Sequence, residues 1–166
     1  MTVKDVTKDP IACTMTITAE LDATVERSWQ LWADPRQLER WWGPPTYPAT
    51  VVEHDLVPGG KVTYFMTGPD GDEFHGYWHI FATEPPRRLE IKDGFADGSG
   101  AANDDLPVTS TVVTLTEGGT GTIMTIVSKF PSVEAMEQLV TMGMEEGMVS
   151  AMGQIDAILA EDSAAA

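Results

Sequence analysis

The side chains able to do acid–base or metal chemistry in this sequence are few and clustered. His75 and His79 stand four apart in a segment of alternating character, Phe74-His75-Gly76-Tyr77-Trp78-His79-Ile80-Phe81. In a strand, residues two apart share a face. His75, Tyr77, His79 and Phe81 therefore lie together, opposite Phe74, Gly76, Trp78 and Ile80. The second set is the more apolar and is expected to point inward, leaving both histidines outside. A metal site there needs a third ligand, with Glu73 and Glu53 the nearest acids, and spacing alone does not supply it. Glu53 and Asp55 flank His54 and would serve acid–base chemistry if they faced a pocket. Beside Pro58-Gly59-Gly60 they fit better as a solvated strand face or the support of a turn. No Gly-x-Ser-x-Gly occurs, and Cys13 is the single cysteine, so nucleophilic catalysis has no signature. The sequence assigns no catalytic residue, no metal and no cofactor.

The other chemistry available is the binding of apolar molecules. Nine methionines and five tryptophans in 166 residues supply soft, polarizable surface that moulds to varied shapes. From Met136 to Leu159 an apolar stripe runs at alternating steps of three and one, one face of a helix, with Glu134, Glu137, Gln138, Glu145, Glu146 and Gln154 opposite. As one helix it would span roughly 40 Å at 1.5 Å per residue. The functional reading is a cavity lined by Met144, Met148 and Met152, with Tyr64, Met66, Trp78 and Met124 on the facing strands. The bland reading is plain core filling. Gly143 and Gly147 interrupt the stripe, and each costs up to ~1 kcal/mol of helix stability relative to Ala. They fit close packing or a pocket. Trp41 and Trp42 either rim the pocket or anchor the helix before them. Phe95 and Leu106, in a long Gly/Asp/Ala-rich loop, either lid an entrance or belong to a floppy acidic connector.

The elements that must position these groups follow from the pattern. Residues 1–12 carry no clear period and are expected to form a loose arm. Residues 13–21 alternate and predict a first strand. Asp22 or Thr24 caps a helix over Val25–Ala33; Asp34 and Pro35 start a second short helix that stops at Gly43-Pro44-Pro45. Strands are expected over 50–57, 61–66, 74–83, 87–92, 108–116 and 122–130, with turns at Pro58-Gly59-Gly60, Gly68-Pro69-Asp70-Gly71, Pro85-Pro86 and Glu117-Gly118-Gly119. Residues 93–107 read as a loop, long enough to carry function. One helix follows from Ser132, and 161–166 read as a frayed tail. Consecutive hairpins imply an antiparallel sheet. The C-terminal helix is long enough to cover one face, and the short helices would plug an end. The expected fold is α+β: a curved sheet of about six or seven strands gripping a helix, as a single domain over 13–160.

Bulk composition narrows the partners. Hydrophobic content of 42% and charged content of 22% are ordinary for a globular chain, but a net charge of −16 is not. It disfavours nucleic acid and an anionic membrane surface, both of which need clustered cations. The lone cysteine makes a reducing compartment the default, and no apolar run is long enough to span a membrane. A cytoplasmic location is the expectation. Edge strands and an exposed Val149 or Met142 leave room for a homodimer.

Five motifs carry a resemblance. Trp41-Trp42-Gly43-Pro44, Asp55-Leu56-Val57-Pro58-Gly59-Gly60, Glu84-Pro85-Pro86-Arg87-Arg88-Leu89, Gly118-Gly119-Thr120-Gly121-Thr122 and Met144-Glu145-Glu146-Gly147-Met148 span nearly the whole chain. Together with the element order they resemble the START-like, helix-grip (SRPBCC) superfamily, in the branch related to the C-terminal domain of activators of Hsp90 ATPase. The resemblance implies a helix-grip fold. It implies a small hydrophobic ligand, lipid-like or polyketide-like, held between sheet and helix. Its alternatives are an enzyme of the cyclase or dehydratase type, which needs an ionisable residue buried in the pocket, and a chaperone-linked stress-response protein. Enzymes of the superfamily often rely on cavity shape and one or two polar groups, so the absence of a motif leaves catalysis open.

Overall fold

Each predicted hairpin pairs with the next, and the result is one antiparallel sheet in the computed structural model, which describes residues 3–119 and 121–165. The described residues form eight strands: β1 (Val3–Asp9), β2 (Thr14–Leu21), β3 (Ala49–His54), β4 (Lys61–Thr67), β5 (Glu73–Glu84), β6 (Arg88–Ala96), β7 (Thr109–Gly118) and β8 (Gly121–Lys129). Their order across the curved sheet is β1-β2-β8-β7-β6-β5-β4-β3. The five strands β3 to β7 are laid down in sequence, and β8 returns beside β2. Between β2 and β3 come α1 (Val25–Ala33) and α2 (Pro35–Trp41), and after β8 come α3 (Val133–Thr141), α4 (Met144–Met152) and α5 (Ile155–Ala165). This is the expected helix-grip architecture, with more strands than expected. No described helix is long and apolar enough to cross a membrane.

Three readings of the sequence are corrected. The N-terminal arm contains an edge strand: β1 pairs with β2 through a register shift between Val3 and Asp5. That irregularity puts Val3 and Val6 toward the core three positions apart, which hides the two-residue period. The tail at 161–166 continues α5 as far as Ala165, with Ala166 outside the described residues; Arg40 pairs with Glu161 at 2.6 Å and Arg27 with Asp162 at 2.5 Å. The single long helix is three. Gly143 sits at φ +93°, a left-handed conformation that ends α3 and that glycine adopts without a steric penalty. A second break follows at Gly153 and Gln154.

The starts of α1, α2 and α3 are the ones the sequence marks. Thr24 accepts from the Arg27 amide, Asp34 from the Arg36 amide with Pro35 in the first turn, and Ser132 from the Ala135 amide. The inner face of the sheet carries Met15, Ile17, Leu89, Ile91, Leu115 and Met124, all buried. Met136, Leu139, Met152, Ile155 and Ile158 from α3, α4 and α5 are buried in the same core. Trp32, Trp41, Trp42 and Trp78 fill one end, with Trp32 and Trp41 edge to face at 4.8 Å. Such pairs contribute about 0.5–1.5 kcal/mol beyond the area they bury.

Candidate ligand cavity

Strand alternation decides which groups meet inside. On β4, Val62, Tyr64 and Met66 face the helices; on β6, Leu89, Ile91, Asp93 and Phe95 do. Tyr64 stands directly opposite Gly76 of β5. A Cβ at Gly76 would lie 2.4 Å from the Tyr64 Oη, so only glycine lets the phenol lie flat across β5. It thereby reaches β6, where its hydroxyl is 3.4 Å from Asp93 Oδ1. Asp93 stands between Trp78 of β5 and Thr109 of β7 in the cross-strand register, so all three share the inner face.

Over this part of the sheet the helices stand off. The N-terminal half of α4 is only partly buried, whereas Ala151 and Met152 at its end are tightly packed. The gap is a partly open cavity of about 250 Å³. Its floor is Tyr64, Met66, Asp93, Gly94, Phe95 and Thr109. Its roof is Leu139, Met142, Gly143, Met144, Gly147 and Met148, with Trp42 and Pro44 closing one end. That end is held in place by a hydrogen bond from Gln154 Nε2 to the Gly43 carbonyl at 2.7 Å. The Gly43 position admits no side chain, because a Cβ there would sit 2.1 Å from the Tyr47 carbonyl oxygen.

The ionisable groups of the cavity are perturbed by their burial. Burial raises the Asp93 carboxyl to about 7, and the hydrogen bond from Tyr64 offsets only part of that rise. Burial, and then the negative charge of Asp93, lift the Tyr64 phenol well above its usual range. The indole N–H groups of Trp42 and Trp78 favour the opposite direction, as donors close to the Tyr64 oxygen. Neither closes a hydrogen bond of ordinary geometry, and both are buried without a partner. A carboxyl, a phenol and two indole donors thus crowd the sheet side of an otherwise apolar space.

The residues singled out from the sequence divide. Trp42, Tyr64, Met66, Phe95, Met144 and Met148 line the cavity. Trp41, Trp78, Met124 and Met152 do not line it. Trp41 is fully buried and donates to the Leu31 carbonyl at 2.9 Å, anchoring α2. Met124 sits under the Trp32 indole, 3.4 Å from its nitrogen, and Met152 is fully buried in the core. Trp78 packs behind Trp42 at 4.9 Å. Phe95 reaches the cavity from β6 rather than from a lid loop, and Leu106 is not part of the lining. The loop over 97–108 is braced internally, with the Asp97 carboxylate accepting from the Ser99 amide and hydroxyl and the Ala101 amide.

Asp93 and Thr109 are the polar groups that sequence reasoning missed. The signal was present: Leu89, Ile91 and Phe95 share one parity, and Asp93 falls between them. Ending the strand at Lys92 concealed it. His75 and His79 lie on the outer face, paired across from Ala96 and Lys92, with His75 Nε2 3.3 Å from Glu73. The described residues bring no group of three potential ligands together. His54 is 2.9 Å from the Trp32 carbonyl and holds α1 to β3. Val149 is half-buried, whereas Met142 is exposed at the cavity mouth. A depression of about 310 Å³ on the outer face, lined by Glu53, Lys61, His75 and Ser99 among others, is larger but more polar. The inner cavity is the candidate because it combines apolar walls with buried ionisable groups.

Known proteins place this geometry. The family described as Activator of Hsp90 ATPase homolog 1-like protein matches residues 22–160. The chain is similar to protein Ms6760 from Mycobacterium smegmatis, at 55% identity over 95% of this chain and 96% of that one, with a TM-score of 0.88. It is similar to a protein from Arthrobacter aurescens, at 52% identity over 96% and 93% of the two chains and a TM-score of 0.92. It shares its fold with the AHSA1 protein of Silicibacter pomeroyi, at 17% identity over 90% and 99% of the two chains and a TM-score of 0.72. No curated protein matches the chain.

Proposed function

The chain belongs to the Activator of Hsp90 ATPase homolog 1-like family, and from that premise we propose that it binds a small hydrophobic molecule between the sheet and the C-terminal helices. The observation that carries this reading is the cavity itself, lined with apolar surface by Trp42, Met66, Phe95, Met144 and Met148. Pockets for small molecules have this character, mostly apolar walls with a few placed polar groups. Size narrows the class. A cavity of about 150 Å³ accepts benzene, so this one suits a ligand of roughly ten non-hydrogen atoms. That favours a fused bicyclic aromatic over a sterol or a long acyl chain.

A thermal-shift series with fatty acids, sterols, flavonoids and small bicyclic aromatics tests the reading. The expected result is stabilisation by the last class. Gly147→Leu supplies the control: nothing lies within 4 Å of a Cβ there, so the side chain enters the cavity and should abolish the shift without unfolding the protein. No shift with any class would sink the proposal.

Asp93 favours a second reading, an enzyme of the cyclase or dehydratase type. A carboxyl that titrates near neutrality inside an apolar cavity suits general acid–base catalysis. Deuterium uptake from D2O into the α-carbon of an aryl ketone, lost in Asp93→Asn, would support it. No uptake above the buffer rate would exclude proton abstraction. The chaperone-linked reading has no structural observation in its favour, and an assay of a purified Hsp90 ATPase with and without the protein decides it.

A further inference from the structure

The polar groups on the sheet side of the cavity are not balanced. An indole N–H donates and never accepts. Those of Trp42 and Trp78 are both buried without a partner, close to the Tyr64 oxygen. A buried donor without an acceptor is rare enough in folded proteins to need an explanation. With donors on that side of its oxygen, the Tyr64 hydroxyl directs its own proton away from them. Its proton points toward Asp93, 3.4 Å away, or toward whatever fills the cavity. That distance is too long for a strong hydrogen bond. Asp93 and Tyr64 both line the open space, so an occupant meets them first.

We propose that the ligand of this cavity carries a neutral carbonyl oxygen, seated between the Tyr64 hydroxyl and the Asp93 carboxyl, with Trp42 and Trp78 orienting the phenol. The proposal rests on the cavity being a binding site. Donors outnumber acceptors in this cluster, and a ketone oxygen adds an acceptor where a hydrocarbon adds none. A ligand carboxylate would bring an uncompensated charge into a space whose described walls hold no Lys or Arg. A phenol oxygen accepts too, but it brings one more donor into a site already rich in them. The ligand class is therefore a compact aryl ketone rather than a fatty acid or a phenol.

Three matched probes of about ten non-hydrogen atoms each test this: 1-indanone, indane and 5-indanol, titrated calorimetrically, with indane-1-carboxylate as the anionic member. The expected result is that 1-indanone binds at least about tenfold tighter than indane. Tyr64→Phe and Asp93→Leu should each erase most of that preference while indane still binds, which shows the cavity intact. Asp93→Asn keeps a donor at the same place and should retain most of the preference. Should a variant fail to fold, the 13C shift of labelled 1-indanone on the unaltered protein gives the answer. A downfield carbonyl shift on binding supports the donated hydrogen bonds, and an unchanged shift overturns them. Equal binding of indane and 1-indanone would overturn the carbonyl assignment but leave the hydrophobic site standing. Tighter binding of 5-indanol or of the carboxylate overturns it likewise. If none of the four binds, the binding reading itself fails and takes this one with it.

Discussion

Asp93 is the residue on which most depends. Its folded value of about 7 lies above the ordinary carboxyl value of 3.8. Between those values the folded protein holds a proton that the unfolded chain has released. Stability is therefore greatest below about pH 4 on this account, and is lost progressively as pH rises through 7. Asp93→Asn removes that penalty. At pH 8 the variant should be more stable than the parent by about 2–4 kcal/mol, with the difference fading toward pH 5, as read by urea denaturation at both pH values. A variant equally stable or weaker at pH 8 would show that Asp93 is ionised at no cost. Gly76 belongs to the same chemistry. Gly76→Ala places a methyl 2.4 Å from the Tyr64 hydroxyl and must displace the phenol from Asp93. We expect a loss of about 1–3 kcal/mol in denaturation, with altered near-ultraviolet dichroism from the adjacent tryptophans. Both residues were nearly legible. The alternation of Leu89, Ile91 and Phe95 points Asp93 inward, but a carboxylate on a buried face runs against the ordinary rule that charges stay outside. The sequence shows its parity, whereas its value near neutrality is a property of the surroundings.

The C-terminal helices show what an element needs in order to leave a cavity. A straight helix gripping the sheet would press its whole apolar stripe into the core. The left-handed Gly143 ends α3 and restarts the chain as α4, whose first half stands off while Ala151 and Met152 at its end pack down. Gly143→Ala meets no neighbouring atom, yet asks alanine to adopt φ +93°. It should cost about 1–2 kcal/mol in thermal unfolding. If instead α3 and α4 fuse into one helix, ligand binding is lost with little change in stability. The stripe itself was plain in the sequence. The breaks were not, because glycine at 143 fits a helical face as well as a helix end, and nothing local decides between them. The edge strand β1 was hidden for the opposite reason: its register shift abolishes the period by which strands are recognised.

As a whole, the molecule carries a net charge of −16, and self-repulsion opposes its compact state. Surface ion pairs such as Arg87–Glu117 at 2.6 Å offset little of this, being exposed to water. The melting temperature should therefore rise by a few degrees between low and physiological salt, as screening shortens to about 8 Å. A fall would mean that the ion pairs outweigh the repulsion. The charge, the hairpins, the caps at Thr24, Asp34 and Ser132 and the motifs of Trp41 to Pro44 were all written locally, so the sequence by itself determined the family, the antiparallel sheet and the apolar helical stripe that packs on it. Which methionines line a space and which fill the core was decided only by the tertiary structure. Met144 and Met152 lie two turns apart on the same stripe, and only the lift of α4 separates a cavity wall from a packed interior. The meeting of Tyr64, Asp93 and Trp42 was likewise decided in three dimensions. They come from β4, β6 and the turn after α2, and no spacing along the chain records the few ångströms between them.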